Sequence, residues 1–205
     1  MIYTLHGWSY DGRVWKGTPF ERAVHLELPG HGESPFNSTD LRELAAEVGE
    51  SIEEGSTLVG WSLGATVSIL VALNYPEKVR ELILYAPTPA FRGISQPEAV
   101  VRRFLRRLKR DFLKGVEFFR ELSSTEKAPL PQLNPKACTE LLESFIEIDC
   151  TEELWKLKVP VKVIVGEDDA ITGLIGAYSV FKGAPLSQLK VIPKADHLTV
   201  LKYAI

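Results

Sequence analysis

Five residues near position 62 have the types and spacing of a serine nucleophile. The segment Gly60-Trp61-Ser62-Leu63-Gly64 matches the pattern Gly-x-Ser-x-Gly, in which a serine lies on a sharp turn between a strand and a helix. The two glycines allow the strand and the helix to approach closely around that turn. An apolar run precedes the motif (57–59), and a run of small and apolar residues follows it (65–73). These flanks favour a nucleophilic serine over a serine in an ordinary turn.

The serine needs two partners, because its hydroxyl is a poor nucleophile until an imidazole takes its proton and a buried carboxylate orients that imidazole. With this motif, the acid and then the histidine follow the serine along the chain. The apolar run 159–165 predicts a buried parallel strand, and the strand ends in Gly166-Glu167-Asp168-Asp169. We predict Asp169 as the acid, and Asp168 is the alternative that the sequence leaves open.

His197 is the predicted base, because it is the one histidine of four that lies downstream of these acidic residues. It follows an apolar run over 189–192, which predicts a last short strand, and it precedes a predicted closing helix. The carboxyl ends of parallel strands meet at one edge of a sheet. We therefore expect Ser62, Asp169 and His197 to converge at that edge.

Two backbone N–H groups are predicted to stabilise the negative charge of a tetrahedral intermediate. The residue after the nucleophile supplies one of them, here Leu63. An early loop supplies the other, and His6-Gly7-Trp8-Ser9 follows an apolar strand over 2–5, so the Trp8 N–H is predicted to face the oxyanion. Each such donor is typically worth about 2.7–4 kcal/mol in the transition state. We interpret His6 as a structural residue that fixes the loop.

The elements that must position these groups alternate along the chain. Strands are predicted over 2–5, 23–27, 57–60 and 81–86, and helices over 40–53 and 63–75. Such alternation indicates an α/β fold with a mostly parallel sheet flanked by helices. Only helical periodicity occurs from about 90 to 153, before the strand at 159. We therefore predict a core formed by 1–89 and 156–205, with a small all-helical insert over 90–155 in the position of a lid.

The insert contains a predicted helix over 97–122 with two unlike faces. Apolar residues at three-and-four spacing form one face: Val101, Phe104, Leu105, Leu108 and Phe112. The other face is basic: Arg102, Arg103, Arg106, Arg107, Lys109, Arg110 and Lys114. Residues 92–120 hold nine Lys or Arg and three Asp or Glu, a local charge of +6 in a chain whose net charge is −3.

Two interpretations of the basic face stay open. It is either a solvated surface that keeps the helix soluble, or a surface that attracts an acidic protein partner and raises the rate of association. The residues predicted to contact such a partner are Arg102, Arg103, Arg106, Arg107 and Arg110. A nucleic acid or a stable membrane association is disfavoured, because no base-stacking motif interleaves the arginines and the chain is net acidic.

Length and composition favour one compact domain, since 205 residues with 45% hydrophobic content can bury a sizeable core. The amino terminus has no basic segment followed by a long apolar stretch, and no run approaches the roughly 18 apolar residues of a membrane span. We expect a cytoplasmic monomer. In a reducing compartment Cys138 and Cys150 are expected to be free thiols rather than a disulfide.

The chain resembles the α/β-hydrolases from end to end. The motifs that carry the resemblance are His6-Gly7-Trp8, Leu28-Pro29-Gly30-His31-Gly32-Glu33-Ser34, Gly60-Trp61-Ser62-Leu63-Gly64, Gly166-Glu167-Asp168-Asp169 and His197. The pairing of His-Gly-Trp with Gly-Trp-Ser-Leu-Gly most resembles the pimeloyl-acyl-carrier-protein methyl ester esterases of biotin synthesis. Glu27 departs from that family, in which Asp commonly precedes Leu-Pro-Gly, and so does Ala65, where a second glycine often follows.

The resemblance implies a serine carboxylesterase without metal or organic cofactor, with Ser62 as nucleophile, Asp169 as acid, His197 as base, and Trp8 and Leu63 as oxyanion donors. It also implies an acyl carrier protein as the partner that the basic face recognises. Residues predicted to contact the acyl chain are Trp61, Phe104, Leu108, Phe112, Phe118 and Phe119. A general carboxylesterase for small soluble esters is the alternative. A non-enzymatic binding module is disfavoured, because such a module would be expected to lack a member of the triad.

Overall fold

A parallel sheet of six strands forms the centre of the computed structural model, which describes residues 1–204. The strands are β1 (Ile2–Leu5), β2 (Val24–Leu26), β3 (Ser56–Trp61), β4 (Val79–Tyr85), β5 (Val161–Gly166) and β6 (Ser187–Ile192). Their order across the sheet is β2-β1-β3-β4-β5-β6, and every neighbouring pair is parallel. The predicted α/β architecture with a parallel sheet is confirmed.

Six helices connect and flank these strands. They are α1 (Leu41–Ser51), α2 (Leu63–Asn74), α3 (Glu98–Arg110), α4 (Phe112–Ser123), α5 (Pro135–Glu147) and α6 (Gly173–Gly183). Local capping explains where several of them begin. The Asp40 carboxylate, for example, accepts the N–H groups of Arg42 and Glu43 at the start of α1, which satisfies backbone donors that have no partner inside the helix.

The middle of the core is formed by β3 and the helix that follows it. All residues of β3 are buried, and so are residues 63–72 of α2. Because both elements are covered on every side, their sequences are continuous apolar runs rather than alternating patterns. A rigid, fully buried strand and helix therefore hold the turn between them, where Ser62 lies.

The predicted helix over 97–122 is wrong in one respect, since the structure divides it into α3 and α4 at Asp111. This residue is extended (φ −155°, ψ 101°), and its side chain accepts the Lys114 N–H. An aspartate that caps the second helix in this way ends the first. The Leu108 side chain of α3 occupies the space that a side chain at Gly115 of α4 would need. The two helices therefore pack closely together.

The predicted closing helix after His197 is a short 3₁₀ turn instead, over Thr199–Lys202. The Asp196 carboxylate accepts the N–H groups of Leu198 and Thr199. Val200 and Leu201 are buried in the core. The turn therefore anchors the loop that carries His197.

Candidate active site

Ser62 lies in a strained turn between β3 and α2. Its backbone has φ 55° and ψ −118°, a positive φ that non-glycine residues rarely adopt. The flanking glycines permit the turn: a Cβ at Gly60 would lie 2.5 Å from the Ala65 Cα, and a Cβ at Gly64 would clash with the carbonyl oxygen of Leu5. The positive φ and the close approach are the backbone features that a Gly-x-Ser-x-Gly turn between a strand and a helix requires.

Asp169 and His197 form a buried pair at the same edge of the sheet. They follow β5 and β6, and His197 Nδ1 lies 2.7 Å from Asp169 Oδ2. The other carboxylate oxygen, Oδ1, accepts the N–H groups of Ile171 and Thr172. Burial by itself would raise the pKa of Asp169, but His197 and the backbone donors outweigh it and the pKa is lowered. Asp169 is therefore ionised, and it can hold the imidazole in one tautomer.

Asp168 is placed differently, although it is the neighbour of Asp169 in the chain. It is exposed, and its backbone N–H donates to the Ala195 carbonyl. The carboxylate that reaches His197 is that of Asp169. The geometry thus distinguishes the two acids that the sequence left open.

Trp61 holds the histidine loop against the turn that carries Ser62. Its indole Nε1 donates to the His197 carbonyl at 2.8 Å, and the two rings are 5.4 Å apart. The indole is fully buried and is not part of the cavity wall. The Trp61 ring therefore lies beside His197 and outside the cavity wall, and its contact with substrate stays a prediction.

The predicted oxyanion donors are available on both sides of Ser62. Among residues 1–204, the backbone N–H groups of Trp8 and Leu63 have no hydrogen-bond acceptor. Both residues belong to the wall of the cavity that contains Ser62. Free N–H groups next to a nucleophile are the donors that an oxyanion requires.

Buried side chains fix the loop that carries Trp8. His31 Nε2 accepts the Ser9 N–H at 2.8 Å, and His31 Nδ1 donates to the Pro29 carbonyl at 2.9 Å. Burial, followed by the nearby His6, lowers the pKa of His31 to about 3, so the ring is neutral and can accept. His6 Nε2 accepts the Leu28 N–H. Both histidine rings therefore bind backbone groups and hold this region of the chain in place.

An apolar cavity of about 160 Å³ opens next to Ser62. Phe104, Phe118 and Phe119 line it, as predicted from the sequence pattern. Leu108 and Phe112 do not: Leu108 packs at the crossing of α3 and α4, and Phe112 lies against the edge of the Trp8 ring. Leu108 and Phe112 therefore lie outside the wall of this cavity, and their contact with an acyl chain stays a prediction.

Several cavity residues were missed in the sequence. Phe91, Leu142, Phe145 and Ile171 belong to the wall. Only contacts between distant segments bring them there, so no local pattern could have identified them. Val101, also in the wall, did appear on the predicted apolar face of α3.

Two of the basic side chains of α3 line this cavity, and three others are exposed to solvent. Arg103 and Arg107 belong to its wall, and the Arg107 guanidinium lies over the Phe118 ring at 4.1 Å. Arg102, Arg106 and Arg110 are exposed. None of these five arginines forms an ion pair with a carboxylate of residues 1–204, whereas Lys109 is paired with Glu143. Helix α3 thus carries five positive charges without a carboxylate partner among the described residues, two of them in the cavity wall.

Cys138 and Cys150 are buried free thiols, as predicted. Burial raises the pKa of each thiol to about 12, so neither is a thiolate near neutral pH. Within the part of the chain that the structure describes, no helix has the length and apolar character needed to cross a membrane.

Comparison with known proteins identifies the family and the fold. Residues 2–203 match the model of the alpha/beta hydrolase family. The pimeloyl-[acyl-carrier protein] methyl ester esterase of Aliivibrio salmonicida is 30% identical over 99% of this chain and 87% of its own. That of Vibrio parahaemolyticus is 31% identical over 96% and 86%, respectively. A hydrolase from Oleispira antarctica shares the fold, with a TM-score of 0.85 at 14% identity, over 98% of this chain and 85% of its own.

Proposed function

Because the chain belongs to the alpha/beta hydrolase family, we propose that it is a serine carboxylesterase whose triad is Ser62, His197 and Asp169. The observation that carries this proposal is the 2.7 Å contact between Asp169 and His197, on a loop that Trp61, the residue before Ser62, binds through the His197 carbonyl. A family member that had lost esterase activity would not be expected to retain all three groups in this arrangement.

The proposed mechanism has two acyl-transfer steps. Ser62 Oγ attacks the ester carbonyl while His197 takes its proton, and Asp169 stabilises the imidazolium that forms. The N–H groups of Trp8 and Leu63 stabilise the oxyanion. His197 then gives the proton to the departing alkoxide, which leaves as the alcohol. A water molecule repeats the path on the acyl-enzyme, and the products are the carboxylic acid and free Ser62.

We further propose that the substrate is pimeloyl-acyl-carrier protein methyl ester, from which methanol would leave. The names of the relatives support this assignment. The apolar cavity beside Ser62, with Phe104, Phe118 and Phe119 in its wall, suits an aliphatic acyl chain. In this proposal 90–155 is a lid on a core formed by 1–89 and 156–205, and the acyl chain lies between them.

The carrier protein would be recognised by the lid arginines. Arg102, Arg103, Arg106 and Arg110 are exposed and have no carboxylate partner among the described residues, so they are free to pair with an acidic surface. A charged patch of this kind mainly raises the rate of association, and this increase becomes smaller as the salt concentration rises. Arg107, held over Phe118, would contact the part of the substrate that enters the cavity.

The test compares kcat/KM for pimeloyl-acyl-carrier protein methyl ester and for p-nitrophenyl butyrate. Ser62→Ala should abolish both activities. Arg102→Glu/Arg106→Glu, at two exposed residues outside the cavity wall, should lower kcat/KM at least about tenfold for the carrier-protein ester alone, since each lost charge pair of about 1 kcal/mol reduces association. The matched control is Lys16→Glu/Arg22→Glu, an equal charge change at exposed residues outside the lid, and it should change neither value.

Two outcomes would contradict parts of the proposal. Full activity of Ser62→Ala would refute the serine mechanism. Unchanged kcat/KM for the carrier-protein ester in the lid variant, with Ser62→Ala inactive, would leave a general carboxylesterase for small esters whose basic face is only a solvated surface.

A further inference from the structure

Arg120 of α4 reaches across to the loop that carries Trp8. Its Nη1 donates to the Ser9 carbonyl at 2.5 Å, and its Nη2 donates to the carbonyl of Ala128. The guanidinium also lies 4.0 Å from the centre of the Tyr10 ring. Arg120 is half-buried and has no ion-pair partner among the described carboxylates. A half-buried cation that binds only carbonyl groups and an aromatic ring calls for an explanation, because even partial desolvation of a charge is unfavourable.

A chain of hydrogen bonds connects Arg120 to the oxyanion donor. The Ser9 carbonyl, which accepts from Arg120, belongs to the same peptide unit as the Tyr10 N–H. The Tyr10 N–H donates to the Gly7 carbonyl at 3.3 Å. The Gly7 carbonyl and the Trp8 N–H belong to the same peptide unit. Hydrogen bonds in such a chain polarise one another. The positive charge of Arg120 therefore strengthens the Trp8 N–H as a donor, two peptide units away.

The loop also needs Arg120 to keep its shape. Ser9 has φ 67°, a conformation that non-glycine residues maintain only when their surroundings impose it. Two contacts impose it from opposite sides: His31 accepts the Ser9 N–H, and Arg120 binds the Ser9 carbonyl. Loss of the second contact would let the Ser9 peptide turn and would carry the adjacent Trp8 N–H with it.

We propose that Arg120 is a positioning residue for the oxyanion hole, which orients and polarises the Trp8 N–H through the Ser9 and Gly7 peptides. This inference rests on the proposed function, because it takes Trp8 as an oxyanion donor. It also connects binding of the acyl chain to stabilisation of the oxyanion, since Phe118 and Phe119 of the same helix belong to the cavity wall. An acyl chain that fixes α4 in place also fixes Arg120 on the oxyanion loop.

The experiment measures kcat and KM for p-nitrophenyl acetate, together with the affinity for a trifluoromethyl ketone that forms a tetrahedral adduct with the serine. Arg120→Met should lower kcat about 10- to 100-fold, somewhat less than the 10²–10³ that removal of an oxyanion donor costs. The ketone should bind more weakly by the same factor, while KM stays within about twofold, because the loss is confined to the transition state.

Two further variants separate this role from a merely structural one. Arg120→Lys keeps the charge and a donor group, the ammonium, so the logarithm of its kcat should lie at least halfway from that of Arg120→Met to that of wild type. Lys114→Met removes a positive charge from the same helix at an exposed residue, and it should keep wild-type kcat. Should Arg120→Met fail to fold, Arg120→Gln tests the charge alone, since it keeps an amide donor and loses the charge that polarises the Trp8 N–H.

The inference is overturned if Arg120→Met, or Arg120→Gln in its place, is folded and keeps wild-type kcat and ketone affinity. It is equally overturned if only KM rises, or if Lys114→Met shows the same loss. Ser62→Ala, measured in parallel, distinguishes this result from failure of the proposed function. If Ser62→Ala is inactive, the esterase proposal stands whatever Arg120 does; if it is active, the serine mechanism itself is wrong.

Discussion

Replacement of Asp169 by asparagine tests the proposed triad with little disturbance of the fold. The asparagine Oδ1 can still accept the N–H groups of Ile171 and Thr172, which now donate to Asp169 Oδ1. The Thr172 hydroxyl, which lies 3.1 Å from Asp169 Oδ2, has a second acceptor in the Ala86 carbonyl at 2.9 Å. The loop can therefore keep its conformation when the carboxylate becomes an amide.

The imidazole of His197, by contrast, would face an NH₂ group where it now faces Asp169 Oδ2 at 2.7 Å. It would have to present a lone pair at Nδ1, which leaves its proton on Nε2, the nitrogen that must accept the proton of Ser62. The wrong tautomer costs about 10⁴ in kcat in serine hydrolases. This corresponds to about 5.4 kcal/mol of transition-state stabilisation.

The assay is hydrolysis of p-nitrophenyl butyrate, with Tm measured on the same samples. Asp168→Asn is the matched control, because it makes the same chemical change at the exposed neighbouring residue, and it should keep kcat within about twofold. If folded Asp169→Asn retains more than about a tenth of the activity, or if Asp168→Asn loses as much, the reasoning from the geometry is refuted.

Three other predictions concern the fold and its titration. Cys138 and Cys150, whose pKa values burial raises to about 12, should not react with a thiol reagent at pH 8 until the protein unfolds, and rapid native labelling would contradict this. Gly64→Ala should destabilise the protein by about 3 kcal/mol in urea unfolding, because the new Cβ meets the rigid Leu5 carbonyl; an unchanged midpoint would contradict it. The lowered pKa of Asp169 stabilises the fold above the ordinary carboxyl pKa of about 3.9. This stabilisation should therefore disappear as the pH falls below that value, and Asp169→Asn should show a shallower loss of stability there than wild type.

The sequence predicted the sheet and the order of the candidate residues because both depend on local patterns. The apolar run ending at Gly166, for example, forms β5 almost as predicted, since a strand buried on both faces must be apolar throughout. The choice between Asp168 and Asp169 depends on which side chain turns toward β6 and His197, and the sequence contains no local signal for that.

The helical insert was harder to predict for a related reason. The apolar spacing continues through Asp111, so it indicates one helix, whereas the aspartate acts as a cap and ends α3. The cavity wall depends on how α3 and α4 pack together, which periodicity alone does not give, so Leu108 and Phe112 appeared on the predicted apolar face although neither lines the cavity. The contact between Arg120 and Ser9 joins residues 111 positions apart, and no periodicity in either segment points to it.

The four tryptophans differ in exposure and position, so the intrinsic fluorescence of the protein can report on the cavity. Trp15 and Trp61 are fully buried, and Trp155 is 67% exposed, so an aqueous quencher should remove the emission of Trp155 alone. Trp8 is buried but borders the cavity, where its indole donates to the Cys138 carbonyl. Occupancy of the cavity by an acyl chain should therefore change the quencher-resistant fluorescence. The filling of the site can thus be followed in the unlabelled protein, separately from any turnover.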